Sequence, residues 1–435
     1  MDRWVGATMA LLAVSCGGGG PNGDEADAGR TPDAMSSDSA VIFDDTVVRT
    51  YDLTVAQADW EFLNDDPRRE QYVPATLEFE GANYTDVAIR YKGAVGSLGL
   101  CFDAQGNQIC DKLGIKLKFS EYVRDKRFYG LKRINFHAME SDDSKMREAV
   151  AYQLFREAGV MAPRTAYARI VVNGELLGLF AVVEAIDGRF TRRVSPDGSG
   201  EGNLYKEVWP EHVSEQPYIN ALKSNRDENP SADKMVRFAR AIDAAEAASF
   251  ESIIEQWTDA DMLFNYMAVA RLIDHWDGIV AWYCVGDCFN HNYYWYESVT
   301  EDKVWLVPWD LDHTFEEPSP VRTYFGMPDW DENTGSCDPI PIFLGITGRP
   351  PHCDPLINLM NIGAWDRYVS ATQQVLASQF QIAALRSRIE EIAAVIRAAV
   401  LEDPYLDEVE WNAGIDALES ALVAKRAYIE AKIAP

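Results

Sequence analysis

The sequence contains little positive charge for its length. Its 435 residues include 40 Lys and Arg against 69 Asp and Glu, so the formal net charge is −29 at neutral pH. A surface of this sign repels the phosphate backbone of nucleic acids, and we therefore expect no nucleic-acid partner. Anionic substrates are repelled in the same way. A site for phosphate groups therefore requires a local cluster of basic residues.

Two kinds of segment are also missing from the sequence. There is no glycine-rich phosphate loop of the Walker type, although the spaced glycines Gly93, Gly96 and Gly99 beside Lys92 are a weaker signal of backbone amides that cover phosphate groups. After the first sixteen residues, no run of about eighteen apolar residues occurs, so we predict no membrane-spanning helix. Global disorder is excluded, because 47% of the residues are hydrophobic and can form a core.

The first sixteen residues have the pattern of an export signal. Arg3 precedes an apolar run over 4–14, and the segment 12–16, which ends in Cys16, resembles a bacterial lipoprotein box. An ordinary signal peptide is the alternative. Residues 17–40 are rich in Gly, Asp, Ser and Pro and predict a flexible tether. We expect an exported lipoprotein, anchored to a membrane by its N-terminal lipid and located in the periplasm or at the cell surface.

The six remaining cysteines form pairs that are close in sequence. An even number in an exported chain predicts disulfide bonds, here Cys101–Cys110, Cys284–Cys288 and Cys337–Cys353. Zinc binding is the alternative for one pair only, because His291 lies near Cys284 and Cys288.

Alternating apolar residues predict mainly strands from Val41 to about Ala185. The strands over 87–92, 115–119 and 133–137 place their basic residues on one face, namely Arg90, Lys92, Lys116, Lys118 and Arg133. This face is the local basic cluster that a phosphate site requires. The alternative is an ordinary solvated face of a half-buried sheet.

A helix that begins at Asp143 or Ser144 and ends at Gly159 follows these strands. Arg147 is expected in the middle of its apolar face, where a guanidinium group needs an anionic partner. Two further strands, over 168–172 and 177–184, are joined by a turn at 173–174. The sheet-rich lobe with its one helix is therefore expected over 41–187.

Helical periodicity dominates the second lobe, which is expected over 188–435. Helices are predicted over 232–247, 257–274 and 375–434, with an interruption of the last one at 403–404. A Cys- and Pro-rich insertion occupies 317–355. The predicted class is α+β.

Three polar side chains border aromatic or apolar runs: Asp277 in Asp-His-Trp-Asp-Gly, Asn292 in His-Asn-Tyr-Tyr, and Asp310 in Pro-Trp-Asp-Leu-Asp. Acids in such positions are costly to bury unless a cation meets them. Protein kinases supply one catalytic base and two magnesium ligands as Asp, Asn and Asp in this order. Each residue alone also has a structural explanation, as a turn residue, a loop contact or a cap.

Several motifs, in their order along the chain, resemble the spore-coat-protein-H (CotH) kinase family. These are Asp143-Ser144-Lys145-Met146-Arg147-Glu148, Ala162-Pro163-Arg164, Asn173-Gly174, Gly178-Leu179-Phe180, Glu184, Gly202-Asn203-Leu204-Tyr205-Lys206 and Pro308-Trp309-Asp310-Leu311-Asp312. The resemblance extends over roughly 41–428. It implies an atypical protein-kinase-like fold with two lobes, the use of ATP and Mg²⁺, and phosphorylation of Ser-rich secreted or coat proteins together with autophosphorylation.

The resemblance also implies roles for individual residues. Asp277 corresponds to the catalytic base, with Asp274 as a second candidate. Asn292 and Asp310 correspond to magnesium ligands, with Asp312 as a second candidate. The candidates for contacts to the nucleotide are Lys92, Lys116, Lys118, Arg147, Glu184 and Lys206. We expect Asp277, Asn292 and Asp310 to converge and to face Lys116 or Lys118, although the stretch 279–289 is longer than the usual connection in the family.

Two other classes of function remain open on the sequence. A surface adhesion or coat-assembly protein would keep the fold for binding, and the predicted export favours it because ATP is scarce outside the cytoplasm. A calcium-stabilised domain would use a set of acids as oxygen ligands, namely Asp310, Asp312, Asp329, Asp331 and Glu332.

Overall fold

The structure is a computed structural model that describes residues 38–93, 98–226, 230–316, 327–343 and 346–434. The predicted export signal, most of the predicted tether, Gly96 and part of the insertion lie outside these ranges. Within them, no helix has both the length and the apolar character that crossing a membrane requires.

Seven strands close into a barrel that forms the first half of the fold. In chain order they are β1 (Val48–Val55), β2 (Val73–Phe79), β3 (Ala82–Tyr91), β4 (Ile115–Lys118), β5 (Arg133–His137), β6 (Thr165–Val172) and β7 (Glu175–Val183). Neighbouring strands are antiparallel, except that β1 pairs in parallel with β6 and so closes the barrel. Alternate side chains such as Leu53, Leu117 and Phe136 fill the interior and are fully buried.

The predicted basic face is the outer face of this barrel. Lys116 lies opposite Arg90 on β3 and opposite Asn135 on β5, and Lys118 lies opposite Arg133. These basic side chains are half-buried. Their position follows from the strand period of two, because residues that alternate with buried apolar ones must point out of the barrel.

Two helices belong to the barrel half, α1 (Gln57–Asp65) and α2 (Arg147–Glu157). Helix α2 begins at Arg147, later than predicted, and a carboxylate oxygen of Asp142 accepts the Arg147 N–H at 2.8 Å. The position predicted for Arg147 was therefore wrong, since the residue starts the helix instead of occupying the middle of its apolar face. The predicted anionic partner is present, because the guanidinium group contacts Glu316 at 3.0 Å.

The second half is mainly helical. Its helices are α3 (Gly188–Val194), α4 (Gln216–Ala221), α5 (Asp233–Asp243), α6 (Phe250–Trp257), α7 (Ala260–Leu272), α8 (Pro355–Ala377), α9 (Ile382–Glu402) and α10 (Glu408–Lys432). The interruption predicted at 403–404 separates α9 from α10. A second break at 378–381 was not predicted. The α+β class is confirmed.

Two small sheets accompany these helices. Their strands are β8 (Asn203–Lys206), β9 (Trp282–Val285), β10 (Asp287–Phe289), β11 (Tyr293–Glu297), β12 (Val304–Pro308), β13 (Ile340–Phe343) and β14 (Ile346–Arg349). One sheet has the order β12-β11-β8, and the other has the order β10-β9-β14-β13. The second sheet therefore joins the long 279–289 connection to the 317–355 insertion.

The three predicted disulfide bonds are confirmed. Cys101 is bonded to Cys110, Cys284 to Cys288, and Cys337 to Cys353. The zinc alternative for Cys284, Cys288 and His291 is thereby excluded, because a bonded cysteine offers no thiolate to a metal.

A buried ion pair connects the barrel half to the C-terminal helices. The Lys112 ammonium group lies 2.8 Å from Asp403, and both side chains are almost fully buried, at 2% and 0% exposed. Asp403 also accepts the Leu179 N–H at 2.7 Å. Gly178 lies against it, and an added Cβ there would come within 2.3 Å of the carboxylate.

We predict that Lys112→Ala destabilises the protein by roughly 3–5 kcal/mol, because it leaves the Asp403 charge buried without its partner. The matched control is Arg386→Ala, which breaks the Arg386–Glu419 pair, where Arg386 is 48% exposed. The control should cost less than about 1 kcal/mol. Urea unfolding measures both changes, and equal costs for the two variants would contradict the role given to the buried pair.

Candidate active site

The pairing of two strands brings Asn292 and Asp310 together. Strand β11 begins directly after Asn292, and β12 ends two residues before Asp310. Because Tyr293 lies opposite Pro308 in this antiparallel pair, both candidates emerge at the same end of the sheet. The Trp309 N–H donates to the Asn292 carbonyl at 3.1 Å and holds the two segments side by side.

Both residues have a left-handed backbone, with φ of 65° at Asn292 and 55° at Asp310. Non-glycine residues rarely adopt this conformation, and it is concentrated at functional sites. The Asp310 N–H donates to the Tyr152 hydroxyl on α2 at 3.0 Å, which stabilises the turn. The Asp310 side chain remains 40% exposed and is therefore accessible to a ligand.

Asp277 joins this pair from the loop that follows α7. The Asn292 amide donates to one Asp277 carboxylate oxygen at 2.8 Å. The other oxygen receives the Tyr283 hydroxyl at 2.5 Å and lies 3.1 Å from Nε2 of His291. Burial disfavours ionisation of Asp277, but His291 outweighs that effect and holds its pKa at about 2. The carboxylate is therefore ionised at neutral pH.

The end of the barrel faces this cluster. His137, the last residue of β5, contacts Glu148 on α2 at 2.9 Å and Asp310 at 4.0 Å. Lys92 follows β3, and burial lowers its pKa although Asp310 and Glu148 oppose that change. Although the Asp310 side chain is partly exposed, its enclosure within the site would raise its pKa. The neighbouring His137, Lys92 and Lys206 outweigh the burial and lower it.

Lys206 reaches the same place from β8. That strand pairs with β11, and Lys206 lies opposite Tyr294. Its ammonium group contacts Glu207 at 3.1 Å. Burial disfavours its charge, yet Tyr294 and Glu207 raise the pKa of Lys206. The lysines whose charges act on Asp310 are therefore Lys92 and Lys206, whereas we expected Lys116 or Lys118.

Asp312 and His313 form a second charged group beside Asp310. Burial, reinforced by Asp310, raises the pKa of Asp312 to about 7. Burial disfavours the charge of His313, but Asp312 and a 2.9 Å contact with Glu316 raise its pKa to about 10. Glu316 also accepts the Trp276 indole N–H at 2.9 Å, so this carboxylate ties the group to the Asp277 loop.

Three predicted site residues, Asp274, Lys118 and Glu184, have partners away from this cluster. Asp274 contacts Lys425 at 2.6 Å. Arg147, by contrast, contacts Glu316 in the group beside Asp310. Lys118 contacts Glu121 at 2.6 Å. Glu184 is enclosed by guanidinium groups: although burial opposes its ionisation, Arg193 and Arg164 hold its pKa at about 2.

Lys116 has a different environment. It lies on the outer face of the barrel beside other cations, and burial together with repulsion from Arg133, Arg90 and Lys92 places its pKa well below the ordinary value. An anionic ligand beside Lys116 would offset this repulsion and favour the charged form of the lysine. It therefore stays a candidate for contact with the nucleotide.

The acids of the calcium alternative do not form one site. Asp329 and Asp331 both contact the guanidinium group of Arg271, at 2.5 Å and 2.8 Å. Asp331 also lies 3.3 Å from Lys432. Carboxylates that are already paired with cations are poor ligands for Ca²⁺, so these two acids stabilise the packing of α7 against α10.

Sequence reasoning missed His137, Glu148, Tyr283 and His291 as members of the cluster. His137 lies on the same outward strand face as Arg133 and Asn135, and Glu148 is buried among the apolar residues of one face of α2. A charged residue beside that apolar face was the available signal for Glu148. The contact of Tyr283 with Asp277 depends on the fold of the 279–289 connection, for which the sequence gives no pattern.

Comparisons with known proteins agree with this geometry. A family model described as CotH kinase protein matches residues 89–419, which is more than half of the chain. The chain therefore belongs to the CotH kinase family, and it is a kinase-like protein of the α+β class.

Two individual proteins are also similar to the chain. Inner spore coat protein H of Bacillus subtilis is 24% identical over 276 residues, which are 61% of this chain and 68% of that protein. The crystal structure of the Helicobacter pylori proinflammatory kinase CtkA gives a TM-score of 0.29 at 12% identity, and it covers 73% of this chain and 95% of that one. The family assignment depends on the family model.

We predict that Tyr283→Phe loosens the Asp277 loop, because it removes a hydrogen bond to a buried carboxylate. Such bonds are worth about 1.5–3 kcal/mol, so amide hydrogen exchange over 276–292 should accelerate roughly tenfold or more. The control is Tyr122→Phe at an exposed position. Unchanged exchange over 276–292 in Tyr283→Phe would show that the hydroxyl does not hold the loop.

A second prediction concerns pH. Because the pKa of His313 is raised in the folded state to about 10, its charge stabilises the fold fully below about pH 6.5, the unfolded value. That stabilisation is lost as the pH rises towards 10. The difference in unfolding free energy between wild type and His313→Gln, measured with urea in EDTA, should therefore shrink between pH 6.5 and 10. A difference that does not change with pH would contradict the ion pairing of His313.

Proposed function

We propose that this chain is an exported CotH-type kinase that transfers the γ-phosphate of ATP to Ser or Thr hydroxyl groups of secreted or surface proteins, its own chain included. The observation that carries the proposal is the convergence of Asp277, Asn292 and Asp310 opposite Lys92 and Lys206, in a member of a kinase family. Kinases need this combination of carboxylate and amide oxygens facing ammonium groups.

The donor set fits Mg²⁺ and ATP. Asn292 and Asp310, with Asp312 as a second candidate, offer the oxygen ligands that Mg²⁺ prefers. These residues would hold an ion whose charge offsets negative charge on the β- and γ-phosphates. The ammonium groups of Lys92 and Lys206 lie close enough to Asp310 to lower its pKa, and they are the cations available to phosphate oxygens near that carboxylate.

Asp277 acts on the hydroxyl group that accepts the phosphate. Since its pKa is about 2, it orients the hydroxyl group as an ionised hydrogen-bond acceptor and does not store a proton at neutral pH. In the transfer, the hydroxyl oxygen bonds to the γ-phosphorus while the bond from that phosphorus to the β–γ bridging oxygen breaks. ADP leaves with the electron pair, and the hydroxyl proton passes by way of Asp277 to solvent.

The second candidate function is coat assembly or surface adhesion without catalysis. The name of the Bacillus subtilis relative, Inner spore coat protein H, favours this candidate. The orientation of Asp277 by three side chains, Asn292, Tyr283 and His291, opposes it, because binding alone has no need for such positioning. Only the kinase candidate predicts that the protein transfers phosphate.

We predict different effects for two variants. Asp310→Asn should weaken both Mg-ATP binding and transfer, because a metal ligand acts in the ground state and in the transition state. Asp277→Asn should leave Mg-ATP affinity within about twofold and lower transfer by roughly 100-fold or more. Calorimetry measures the affinity, and labelled ATP measures autophosphorylation and phosphorylation of a Ser-rich peptide.

Asp416→Asn is the matched control, because Asp416 is an exposed acid on α10 outside the cluster. It should behave like the wild type. Transfer at the wild-type rate by both site variants would remove Asp277 and Asp310 from the proposed chemistry. Binding of Mg-ATP by the wild type without any transfer would favour the coat-assembly candidate.

Export and lipid anchoring are part of the proposal and rest on the segment that ends in Cys16 and on the three disulfide bonds. Expressed in a bacterium from the full chain, the wild type should enter the detergent phase in a phase-partition experiment, and Cys16→Ser should stay in the aqueous phase. A wild type that stays in the aqueous phase would contradict the lipid anchor.

A further inference from the structure

Three side chains that can bind a metal ion meet between the barrel and the β12-β11-β8 sheet. They are His137 at the end of β5, Glu148 on α2 and Asp310 after β12. One ligand atom from each lies within 4.8 Å of the other two. Because the three belong to separate elements, their convergence is a property of the tertiary fold and not of one loop.

The distances suit a shared ion. Nδ1 of His137 lies 2.9 Å from a Glu148 oxygen and 4.0 Å from an Asp310 oxygen. With bonds of about 2.1 Å, adjacent ligands of an octahedral ion are roughly 3 Å apart, and opposite ligands are roughly 4.2 Å apart. Glu148 and Asp310 therefore stand at spacings from His137 that one ion between them would impose.

The imidazole of His137 is fixed and has few other contacts. The residue is 6% exposed, and Nε2 has no hydrogen-bond partner among the described residues. Its ring packs against Trp309 in a T-shaped arrangement with the ring centres 5.7 Å apart. Both polar contacts of the ring are made by Nδ1 towards carboxylates, which is the side on which a cation would be bound.

We propose that His137, Glu148 and Asp310 bind a second divalent cation, a first-row transition ion, beside the Mg²⁺ proposed for Asn292 and Asp310. The ligand chemistry sets the class of ion. Mg²⁺ selects oxygen ligands, whereas an imidazole nitrogen together with carboxylates suits transition ions. This inference adds a second ion to the proposed active site. It rests on the proposed function only through Asp310, which the two ions would share.

The competing explanation is an ordinary ion pair. In that case His137 donates a hydrogen bond to Glu148 and positions α2, with no metal involved. The two explanations differ in a spectroscopic property, since only a metal bound by His137 couples magnetically to an imidazole nitrogen. Catalytic activity does not separate them, because either role would support phosphate transfer.

The test is electron paramagnetic resonance of Mn²⁺ added to the full chain in the absence of nucleotide. The wild type should remove the signal of free Mn²⁺, and pulsed measurements should show modulation from a ¹⁴N nucleus. His137→Gln should lose the modulation and bind Mn²⁺ at least about tenfold more weakly. His212→Gln is the control, because His212 is half-buried and lies outside the cluster.

Circular dichroism checks that each variant is folded. Glu148→Gln provides a second variant, which should weaken Mn²⁺ binding but keep the ¹⁴N modulation. Mn²⁺ bound by the wild type without ¹⁴N modulation, or modulation that persists in His137→Gln, would overturn the inference.

The two proposals fail separately. Mn²⁺ bound with ¹⁴N coupling by a protein that neither binds nor uses ATP would leave this site in place and remove the proposed kinase activity. Transfer of phosphate from Mg-ATP by a protein without ¹⁴N coupling would support the kinase activity and remove the proposed second metal site.

Discussion

The candidate site depends on the meeting of opposite charges between the barrel and the small β12-β11-β8 sheet. The sheet supplies Asp310, and the barrel supplies Lys92 and His137, which help to lower the pKa of that carboxylate. Without these partners from the barrel, the charge of Asp310 would be less well compensated, which is unfavourable. A net charge of −29 repels an anionic substrate from most of the surface. The cations beside the candidate metal-binding carboxylates reduce that repulsion at the site itself.

Backbone geometry gives the site its rigidity. Asn292 and Asp310 are fixed by the register of one strand pair, and Asp277 is fixed by side chains that come from two later segments, Tyr283 on β9 and Asn292. Gly278 allows the close approach, since a Cβ there would lie 2.6 Å from the His275 ring. The disulfide-bonded hairpin that contains Tyr283 is thus part of the support of Asp277. The long 279–289 connection therefore carries the tyrosine that contacts Asp277.

Several features of the fold and the site were predictable because they depend on residues that are close in the sequence. Strand alternation identified the basic outer face, sequence-local cysteines identified the disulfide bonds, and the order of Asp277, Asn292 and Asp310 identified a cluster that the fold does bring together. The lysine of the barrel that lies near Asp310 was not predictable, because Lys92, Lys116 and Lys118 share one strand-face pattern and only the closed barrel distinguishes them. The partners of Glu184 and Asp274 were not predictable either, because the sequence does not show which cation a buried acid contacts.

The most direct measurement of the central claim is the thermal unfolding temperature of the protein with ATP, with Mg²⁺, with both and with Ca²⁺. A ligand that binds only the folded state raises this temperature, and the rise grows with the ligand concentration relative to its dissociation constant. We predict a clear rise with ATP and Mg²⁺ together, a smaller one with either alone, and none specific to Ca²⁺. No rise with Mg-ATP at millimolar concentration, or a rise with Ca²⁺ alone that exceeds the rise with Mg-ATP, would contradict the claim that Asp277, Asn292 and Asp310 form a nucleotide and magnesium site.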